Sequence, residues 1–328
     1  MPNLKLAFVG YRREWERNWL AERLSDAVDF SAVPCDPTET IAERSAGIVA
    51  DANIIVTWGY PLGDIHERPG ELKLIQCMGA GTDGVPKVEL HELGIPVAGN
   101  GGANSIAVAE WTVMLTIAAL RKLTGLVGDL RQGRYNQPIY RDWEEYPDLT
   151  RKRVGLVGFG RIAQAVARRL AGWECEIVYC DQREIDPETQ CACNAAPVPL
   201  DELMRTSDVV SVHTPLTART RGLIDADRIG MMKGTAILVN TCRGPVVDEA
   251  ALTAALQSGA IAGAGLDVTA VEPLPPDSPL LTMDNVFLTP HMAGISIEAR
   301  QRAITFAAEN ANRLAAGDKP LGVVDPFE

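Results

Sequence analysis

The chain is short of positive charge, of aromatic side chains and of long apolar segments. Its formal net charge is −12, which argues against nucleic acid as a partner because binding to phosphates needs a basic surface. No apolar run reaches the roughly 18 residues that cross a bilayer, so no membrane partner is expected. Aromatic residues make up 5% of the chain and glycine accounts for 29 residues, which suits helices packed closely on sheets.

The chain also lacks a cysteine framework. Its seven cysteines show no paired spacing, and an odd number in a chain of this length indicates reduced thiols in a reducing compartment. Residues 1–10 show a strand pattern and no secretion signal, so we expect a cytoplasmic protein. Cys191 and Cys193 have no histidines at ligand spacing. We expect them in a surface loop, and we expect no metal site.

Short β-branched runs alternate with longer amphipathic runs, which is typical of a parallel α/β architecture. A length of 328 residues favours two domains. The first half contains strand patterns at 4–9, 28–33, 52–57, 73–77 and 95–98, with a helix pattern at 15–24. The second half contains strand patterns at 154–157, 176–180, 209–213, 236–240, 264–268 and 286–288, with helix patterns at 162–170, 201–206 and 249–258.

Two segments join the halves. Residues 104–123 form the most sustained helical pattern, too apolar to be solvated all round, and Asn104 or Ser105 can cap its first turn. Residues 131–150 are polar, aromatic and irregular, which predicts a long loop. A last helix, 297–316, follows the last strand, and we expect it to return to the first domain.

A glycine-rich turn, GFGRIA, follows the strand at 154–157 and opens a helix. Gly158 permits the tight turn, Gly160 lets the backbone approach a pyrophosphate, and Ala163 fills the third small position. Arg161 and Ile162 begin the helix, whose free N–H groups and positive dipole end attract phosphates. Alone the glycines could make an ordinary turn, but the strand and helix around them indicate a dinucleotide site.

The next strand ends in Asp181, about twenty residues after the turn. A carboxylate there accepts hydrogen bonds from the adenine ribose and repels a 2′-phosphate. The cofactor is therefore expected to be NAD rather than NADP. Arg183, two positions later, weakens this preference because it could contact a phosphate.

Ionisable residues follow three of the later strands. They are Arg243 in NTCRGPVVDEAAL, Glu272 in LDVTAVEPLP and His291 in LTPHMAG. Open α/β sheets bind ligands at the carboxyl ends of their strands, so these side chains can converge on one cleft. Singly, each has an ordinary structural interpretation: a surface turn, a solvated Glu-Pro and a buried capping histidine. Their shared placement favours catalysis.

The three residue types suit hydride transfer at an alcohol carbon. Such a transfer needs a proton moved on the adjacent oxygen, and histidine does this near neutral pH. A carboxylate such as Glu272 would orient the imidazole of His291. Arg243 could grip a substrate carboxylate with two hydrogen bonds and polarise a carbonyl.

The motifs MGAGTDG, NSIAVAE, GFGRIA, VHTPLT, NTCRGPVVDEAAL, LDVTAVEPLP and TPHMAG occur together in one order. In this respect the sequence resembles the D-isomer-specific 2-hydroxyacid dehydrogenase family over nearly the whole chain. The resemblance implies that Arg243 binds the substrate carboxylate and keto oxygen, that His291 is the acid/base and that Glu272 is its partner. It departs at Thr269–Val271, where many members carry an aromatic residue, and this departure could reshape the wall near Glu272.

The resemblance also implies further contacts. Asp267 would contact the nicotinamide carboxamide, and Thr241 and Pro215 would lie along the cofactor. The backbone loop that holds the substrate carboxylate would be Gly79, Ala80 and Gly81. Candidate specificity residues are Trp58, Tyr60, Met78 and Met292, although each could equally belong to the core.

The family fold implies two doubly wound parallel-sheet domains, of which the first is discontinuous. Residues 1–103 and 295–328 would form a flavodoxin-like substrate domain, and residues 104–294 a Rossmann-like NAD-binding domain. In many members the region matching 123–150 contributes to a dimer interface, so we expect a homodimer. The aromatics that could reach the partner subunit are Tyr135, Tyr140, Trp143 and Tyr146. A loop packed on its own domain is the alternative.

The expected activity is reversible reduction of a small 2-keto acid, such as glyoxylate or hydroxypyruvate, to its D-2-hydroxy acid. One alternative is phosphite oxidation, but related phosphite enzymes carry a lysine in the substrate loop, and CMGAGTDG has none. A second alternative is an NAD-sensing binding protein like the transcriptional corepressors built on the same fold. Against it, the chain shows no partner-binding extension, and a turnover assay separates the two.

Overall fold

The computed structural model describes residues 3–34, 47–58, 65, 70–135 and 146–327. The chain divides into two compact units, one made of Met1–Asn104 with Gly294–Glu328 and the other of Ser105–Ala293. Tyr60, Tyr140 and Trp143, which the sequence suggested for substrate and subunit contacts, lie outside the described residues. Among the helices of the described segments, none is both long enough and apolar enough to cross a membrane.

The first unit contains a parallel sheet of five strands in the order β2-β1-β3-β4-β5. The strands are β1 (Leu4–Tyr11), β2 (Val28–Pro34), β3 (Ile54–Thr57), β4 (Leu74–Cys77) and β5 (Val97–Ala98). Every residue of β3 and β4 is buried, as expected for central strands covered on both faces. The order is that of flavodoxin-like sheets, which place ligands at the carboxyl ends of their strands.

Helices α1 (Glu14–Ala21) and α2 (Lys87–Glu92) belong to this unit, together with the C-terminal helix Ile297–Ala315. The C-terminal helix buries Ile304 and a row of alanines in the core formed with β1 and β3. Ser296 caps it, since its side chain accepts a hydrogen bond from the backbone N–H of Ala299. The last helix therefore completes the first unit.

The second unit contains a parallel sheet of seven strands in the order β12-β11-β10-β9-β6-β7-β8. The strands are β6 (Arg153–Val157), β7 (Glu176–Cys180), β8 (Ala195–Pro197), β9 (Val209–Val212), β10 (Ile237–Asn240), β11 (Gly263–Leu266) and β12 (Val286–Leu288). The order reverses between β6 and β9, which makes their carboxyl ends the topological switch point where doubly wound sheets bind dinucleotides. The expected fold class, two doubly wound parallel sheets, is confirmed.

The helices of this unit surround the sheet. They are α3 (Ser105–Leu120), α4 (Leu123–Arg131), α5 (Arg161–Leu170), α6 (Pro187–Cys193), α7 (Leu200–Thr206), α8 (Ala226–Met231) and α9 (Glu249–Ser258). α3 packs closely on β11, because a Cβ at Gly265 would lie 3.0 Å from the carbonyl oxygen of Leu115.

The helix predicted over 104–123 ends earlier, at Leu120. Lys122 adopts a left-handed conformation with φ 48°, which ends α3 and separates it from α4. Asn104 does not cap α3, since its buried side-chain oxygen accepts no hydrogen bond from the part of the chain that the structure describes, and Ser105 already lies within the helix. Residues 132–135 and 146–150 are non-helical, and 136–145 of the predicted loop lie outside the described residues.

The surface loop predicted for Cys191 and Cys193 is wrong, because both lie in α6. Asp186 caps this helix by accepting the backbone N–H of Thr189 at 2.7 Å, and Pro187 occupies the first helical position, where its missing N–H costs nothing. Cys193 is buried, with its sulfur 3.4 Å from an Arg168 guanidinium nitrogen, whereas Cys191 is exposed.

The fully buried Asn310 ties the C-terminal helix to the sheet. Its amide donates to the side-chain oxygen of Gln76 at 2.6 Å and to the carbonyl of Leu321 at 2.9 Å, and its oxygen accepts the Leu321 N–H at 2.7 Å. Replacing Asn310 by alanine leaves buried polar groups unpaired.

We expect Asn310→Ala to lower the free energy of unfolding by about 2–4 kcal/mol, measured by urea denaturation followed by tryptophan fluorescence. Glu309→Ala, an exposed position on the same helix, is the control and should change stability by less than about 0.5 kcal/mol. Equal effects at the two positions would show that the Asn310 bridge contributes nothing.

Candidate functional site

The glycine-rich turn joins β6 to α5 in the shape that its sequence predicts. Gly158 has φ 87°, and a Cβ there would lie 2.9 Å from the carbonyl oxygen of His213. Only glycine fits this position, since it must adopt a left-handed conformation and face another backbone at close range. Between the glycines, Phe159 is buried and stacks on Tyr179 with ring centroids 4.1 Å apart. The turn is therefore anchored in the core.

The outer face of the turn is open backbone. The nearest heavy atom to a Cβ built on Gly160 is Nη2 of Arg183, at 4.0 Å. Gly160 is the N-cap of α5 and supplies no side-chain cap, so the first N–H groups of the helix point outward with its positive dipole end. Arg161 is exposed and Ala163 is fully buried. These features fit a bound pyrophosphate.

Asp181 sits at the end of β7 with both carboxylate oxygens engaged. Oδ2 accepts the Phe159 N–H at 2.7 Å, and Arg183 donates to Oδ1 from its backbone N–H and from Nε at 2.9 and 3.1 Å. Burial alone would raise the pKa of Asp181, but the hydrogen bonds from Arg183 and Phe159 outweigh it and hold the pKa below its ordinary value. A cavity of about 360 Å³ adjoins this pair.

His213 follows β9 and lies beside the glycine turn. Its Nε2 is 2.9 Å from the hydroxyl oxygen of Ser211. Desolvation by burial lowers the pKa of His213 to about 4, so its imidazole is neutral near pH 7. A neutral imidazole with so low a pKa is a poor proton donor, which leaves His291 as the acid/base candidate at this edge of the second unit.

His291 and Glu272 form a pair after β12 and β11. Nδ1 of His291 lies 2.7 Å from Oε2 of Glu272, and the two side chains are 48% and 38% exposed. The other carboxylate oxygen of Glu272 accepts the backbone N–H of Thr269 at 3.1 Å. Because a carboxylate only accepts, it selects the ring form with a proton on Nδ1, and the second ring nitrogen is left to exchange a proton with a substrate.

The loop that carries His291 is built around the carboxylate of Asp267, which is 1% exposed. Oδ1 accepts the hydroxyl of Thr289 at 2.6 Å and the N–H of Met292 at 2.8 Å, and Oδ2 accepts the N–H of Ala293 at 2.8 Å. The backbone carbonyl of Asp267 accepts the N–H of His291 at 2.8 Å. These bonds hold His291 at φ 53°, a left-handed conformation that few non-glycine residues adopt.

Trp111 extends this network from helix α3. Its indole N–H donates to the hydroxyl oxygen of Thr289 at 3.1 Å. Because Asp267 only accepts and the indole only donates, the hydroxyl of Thr289 has one possible orientation. Trp111 and Thr289 were not among the sequence candidates, and no motif signal marks a tryptophan in the middle of an apolar helix.

The turn that carries Arg243 is braced by Asn240, the last residue of β10. The Asn240 side chain donates to the Arg243 carbonyl and accepts the Cys242 N–H, both at 3.0 Å. Arg243 Nη1 donates to the Cys242 carbonyl at 2.7 Å. A Cβ on Gly244 would overlap the carbonyl of Thr269, so this turn packs directly on the loop that leads to Glu272. Asn240 was also missed, although asparagine at a strand end commonly makes such turns.

The other expected cofactor residues lie near the same edge of the second sheet. Thr241 is buried, with its hydroxyl 3.0 Å from that of Thr112 on α3. Pro215 is exposed, and its carbonyl accepts the hydroxyl of Thr220 at 2.6 Å. Burial raises the pKa of Cys242 to about 11, so its thiol is not a nucleophile near neutral pH.

The expected substrate loop belongs to the first unit. Gly79, Ala80 and Gly81 follow β4, next to Trp58 at the end of the neighbouring β3. The indole N–H of Trp58 is buried and has no hydrogen-bond partner among the described residues, and the Arg300 guanidinium lies 4.6 Å from its ring centroid. Met78 is 1% exposed and packs in the core.

The chain is similar to known proteins. Residues 113–293 match the family model "D-isomer specific 2-hydroxyacid dehydrogenase, NAD binding domain". A glyoxylate reductase of Thermofilum pendens is 42% identical over 267 residues, 80% of this chain and 77% of the relative. A glyoxylate/hydroxypyruvate reductase B of Citrobacter koseri is 31% identical over 308 residues, 94% of each chain. The holo structure of Rhodotorula graminis D-mandelate dehydrogenase matches with a TM-score of 0.85 and 29% identity, covering 99% of this chain and 98% of the other.

The low pKa of His213 predicts a pH dependence of stability. The unfolded imidazole takes up a proton below about pH 6.5, whereas the folded one does so only near pH 4, so acidification favours unfolding. Between pH 8 and pH 5 we expect the wild type to lose about 2 kcal/mol more unfolding free energy than His213→Gln does. Urea denaturation at both pH values measures this, and parallel losses in the two proteins would contradict the assignment.

Proposed function

The chain belongs to the D-isomer-specific 2-hydroxyacid dehydrogenase family and is an NAD-dependent oxidoreductase, and from this we propose that it reduces a small 2-keto acid to the D-2-hydroxy acid. Glyoxylate and hydroxypyruvate are the proposed substrates, because similar proteins carry the names glyoxylate reductase and hydroxypyruvate reductase. The observation that carries the proposal is the pair formed by His291 and Glu272 with Nδ1 and Oε2 2.7 Å apart.

In this proposal His291 moves the proton. Its second ring nitrogen donates to the C2 oxygen of the keto acid during reduction and takes the proton back during oxidation. Glu272 keeps the ring oriented through Nδ1, and Asp267 keeps the loop in place. NADH, when bound, supplies the hydride that reaches C2.

Arg243 is proposed to bind the substrate. A guanidinium can donate two parallel hydrogen bonds to a carboxylate, and in this acidic chain it supplies the local positive charge that an anionic substrate needs. The same cation polarises the C2 carbonyl and stabilises the negative charge that develops on its oxygen. Gly79, Ala80 and Gly81 are proposed to donate backbone N–H groups to the substrate carboxylate.

The cofactor contacts are also proposals. Gly158, Gly160, Arg161 and Ile162 would face the pyrophosphate, and Asp181 the adenine ribose. Asp267 retains acceptor capacity beyond its three hydrogen bonds, and this capacity would serve the nicotinamide carboxamide. Thr241 and Pro215 would line the cofactor. The roles of residues 1–103 with 295–328 as substrate domain and 104–294 as NAD domain are proposed with them.

A homodimer is the proposed assembly. Helix α4 has no buried residue and exposes Val127 and Leu130 by 41% and 62% of their surface, and Tyr135 beyond it is 77% exposed. Apolar side chains grouped in this way commonly mark a protein interface.

A reducing compartment, the cytoplasm, is the proposed location. All six cysteines within the described residues carry free thiols. Cysteines of proteins in oxidising compartments are usually paired.

We expect purified protein to oxidise NADH when glyoxylate or hydroxypyruvate is added, followed at the NADH absorbance. His291→Asn should lower kcat by about 10³-fold because the proton donor is lost. Arg243→Ala should lower kcat/KM by about 10²-fold or more, with much of the loss in KM. Full turnover in either variant would overturn the mechanism.

His91→Asn, at an exposed position in the first unit, is the matched control and should keep wild-type activity. A protein that binds NADH but reduces no member of a 2-keto acid panel would instead favour an NAD-sensing binding module.

We expect a dimer by sedimentation equilibrium. Leu130→Asp should shift the population toward monomer, since it places a charge within the apolar surface of α4. Leu281→Asp, a comparably exposed leucine of the same unit at 51%, is the control. A wild-type monomer, or a dimer that tolerates Leu130→Asp, would contradict this interface.

A further inference from the structure

We propose that this chain accepts NADPH as well as NADH, because Arg183 supplies a binding site for the 2′-phosphate while it is paired with Asp181. The inference rests on the proposed placement of the cofactor at the carboxyl end of β7. It differs from what Asp181 alone predicts, which is rejection of a phosphorylated ribose.

The carboxylate of Asp181 is saturated by hydrogen bonds. Besides the three bonds already described, its Oδ2 accepts Nη2 of Arg183 at 3.2 Å. A carboxylate has about four acceptor positions, and the Arg183 side chain fills two of them through Nε and Nη2. While the Arg183 side chain is bonded to Asp181 (the closed pair), the carboxylate has no acceptor position left for a ribose hydroxyl.

The guanidinium of Arg183 stands where a cofactor phosphate would need it. Outside the adjoining residues, Nη2 is the heavy atom nearest to a Cβ position on Gly160, at 4.0 Å, so the cation lies next to the backbone that is proposed to meet the pyrophosphate. The Arg183 side chain is 63% exposed, whereas that of Asp181 is 7% exposed. The cationic member of the pair is thus the one presented to a ligand, and guanidinium is well suited to phosphate.

The charges around the site do not forbid a phosphate. The exposed Arg161 begins α5 next to Gly160, and Glu184 lines the same cavity as Asp181 and Arg183. The Asp181 charge is compensated by its partner Arg183. A lone Asp181 would instead repel the 2′-phosphate at short range.

The pair offers two modes of binding. With the pair open, Asp181 regains two acceptor positions for the ribose hydroxyls of NADH. Opening leaves Asp181 its bonds from the backbone N–H groups of Phe159 and Arg183, and the ribose hydroxyls replace the two side-chain bonds that it loses. With the pair closed, Arg183 holds the 2′-phosphate of NADPH while its own side chain masks the acid.

Cofactor binding is measured directly, by titrating the protein with NADH and with NADPH and following dihydronicotinamide fluorescence. We expect the wild-type Kd for NADPH to lie within about 30-fold of that for NADH. Arg183→Gln should raise the Kd for NADPH by about tenfold or more and change the Kd for NADH by less than about threefold. Competition with 2′,5′-ADP should be stronger than with 5′-AMP in the wild type and not in the variant.

Arg205→Gln removes the same charge from an exposed position of α7 and should leave both Kd values unchanged. Arg161→Gln should weaken the binding of both cofactors to the same extent, because both contain the pyrophosphate. The proposal is overturned if wild-type NADPH binding is weaker than NADH binding by more than about 30-fold, or if Arg183→Gln affects the binding of both cofactors equally.

The binding data separate this inference from the proposed function. If both cofactors bind as expected and no 2-keto acid is reduced, the proposed reaction fails and the 2′-phosphate site stands. If NADH supports turnover and NADPH does not bind, the 2′-phosphate site fails alone.

Discussion

The buried carboxylate of Asp267 is the constraint on which the geometry of the second unit's reactive edge depends. It collects donors from Thr289, Met292 and Ala293, and the backbone carbonyl of the same residue accepts from His291. A non-glycine residue at φ 53° persists only when its surroundings outweigh the cost of that conformation. The short contact between His291 and Glu272 is therefore a consequence of the network beneath it. Replacing Thr289, which has no proposed contact with the substrate, would therefore disturb the imidazole of His291.

The proposed cofactor end of the same sheet is also held in place by hydrogen bonds between its own residues. Phe159 stacks on Tyr179, and its N–H donates to Asp181. One strand end thus anchors the glycine turn and also supplies the acid beside it. Because the turn, the acid and Arg183 share hydrogen bonds, the choice between NADH and NADPH is a property of the group and not of Asp181 alone.

Much of this could be predicted from the sequence, for physical reasons. Parallel strands buried on both faces leave continuous apolar runs, so most strands and the fold class were predictable, and the fold class is confirmed. Strand β8 (Ala195–Pro197) was missed, because Ala, Ala and Pro lack the β-branched and aromatic side chains that mark a strand. Helix α6 was missed although Asp186 followed by Pro187 is a recognisable helix start. The roles of Arg243, Glu272 and His291 remain predictions that the geometry favours.

Other features depend on contacts between distant residues and leave no local signal. Trp111 and Thr289 are 178 positions apart, and nothing in an apolar helix tells which side chain meets a strand end. Asp181 and Arg183 are close in sequence. That the Asp181 carboxylate has all its acceptor positions filled becomes apparent only in the fold, which places the Phe159 N–H beside it.

The return of the C-terminal helix to the first unit has a consequence for synthesis on the ribosome. The first unit is made of Met1–Asn104 and Gly294–Glu328, and Asn310 bonds to Gln76 across 234 positions. The N-terminal strands therefore emerge long before the helix that covers them. The second unit is continuous and can fold while the strands that precede it still wait for their last element. The nascent chain must keep an incomplete sheet from aggregating until its final residues are translated.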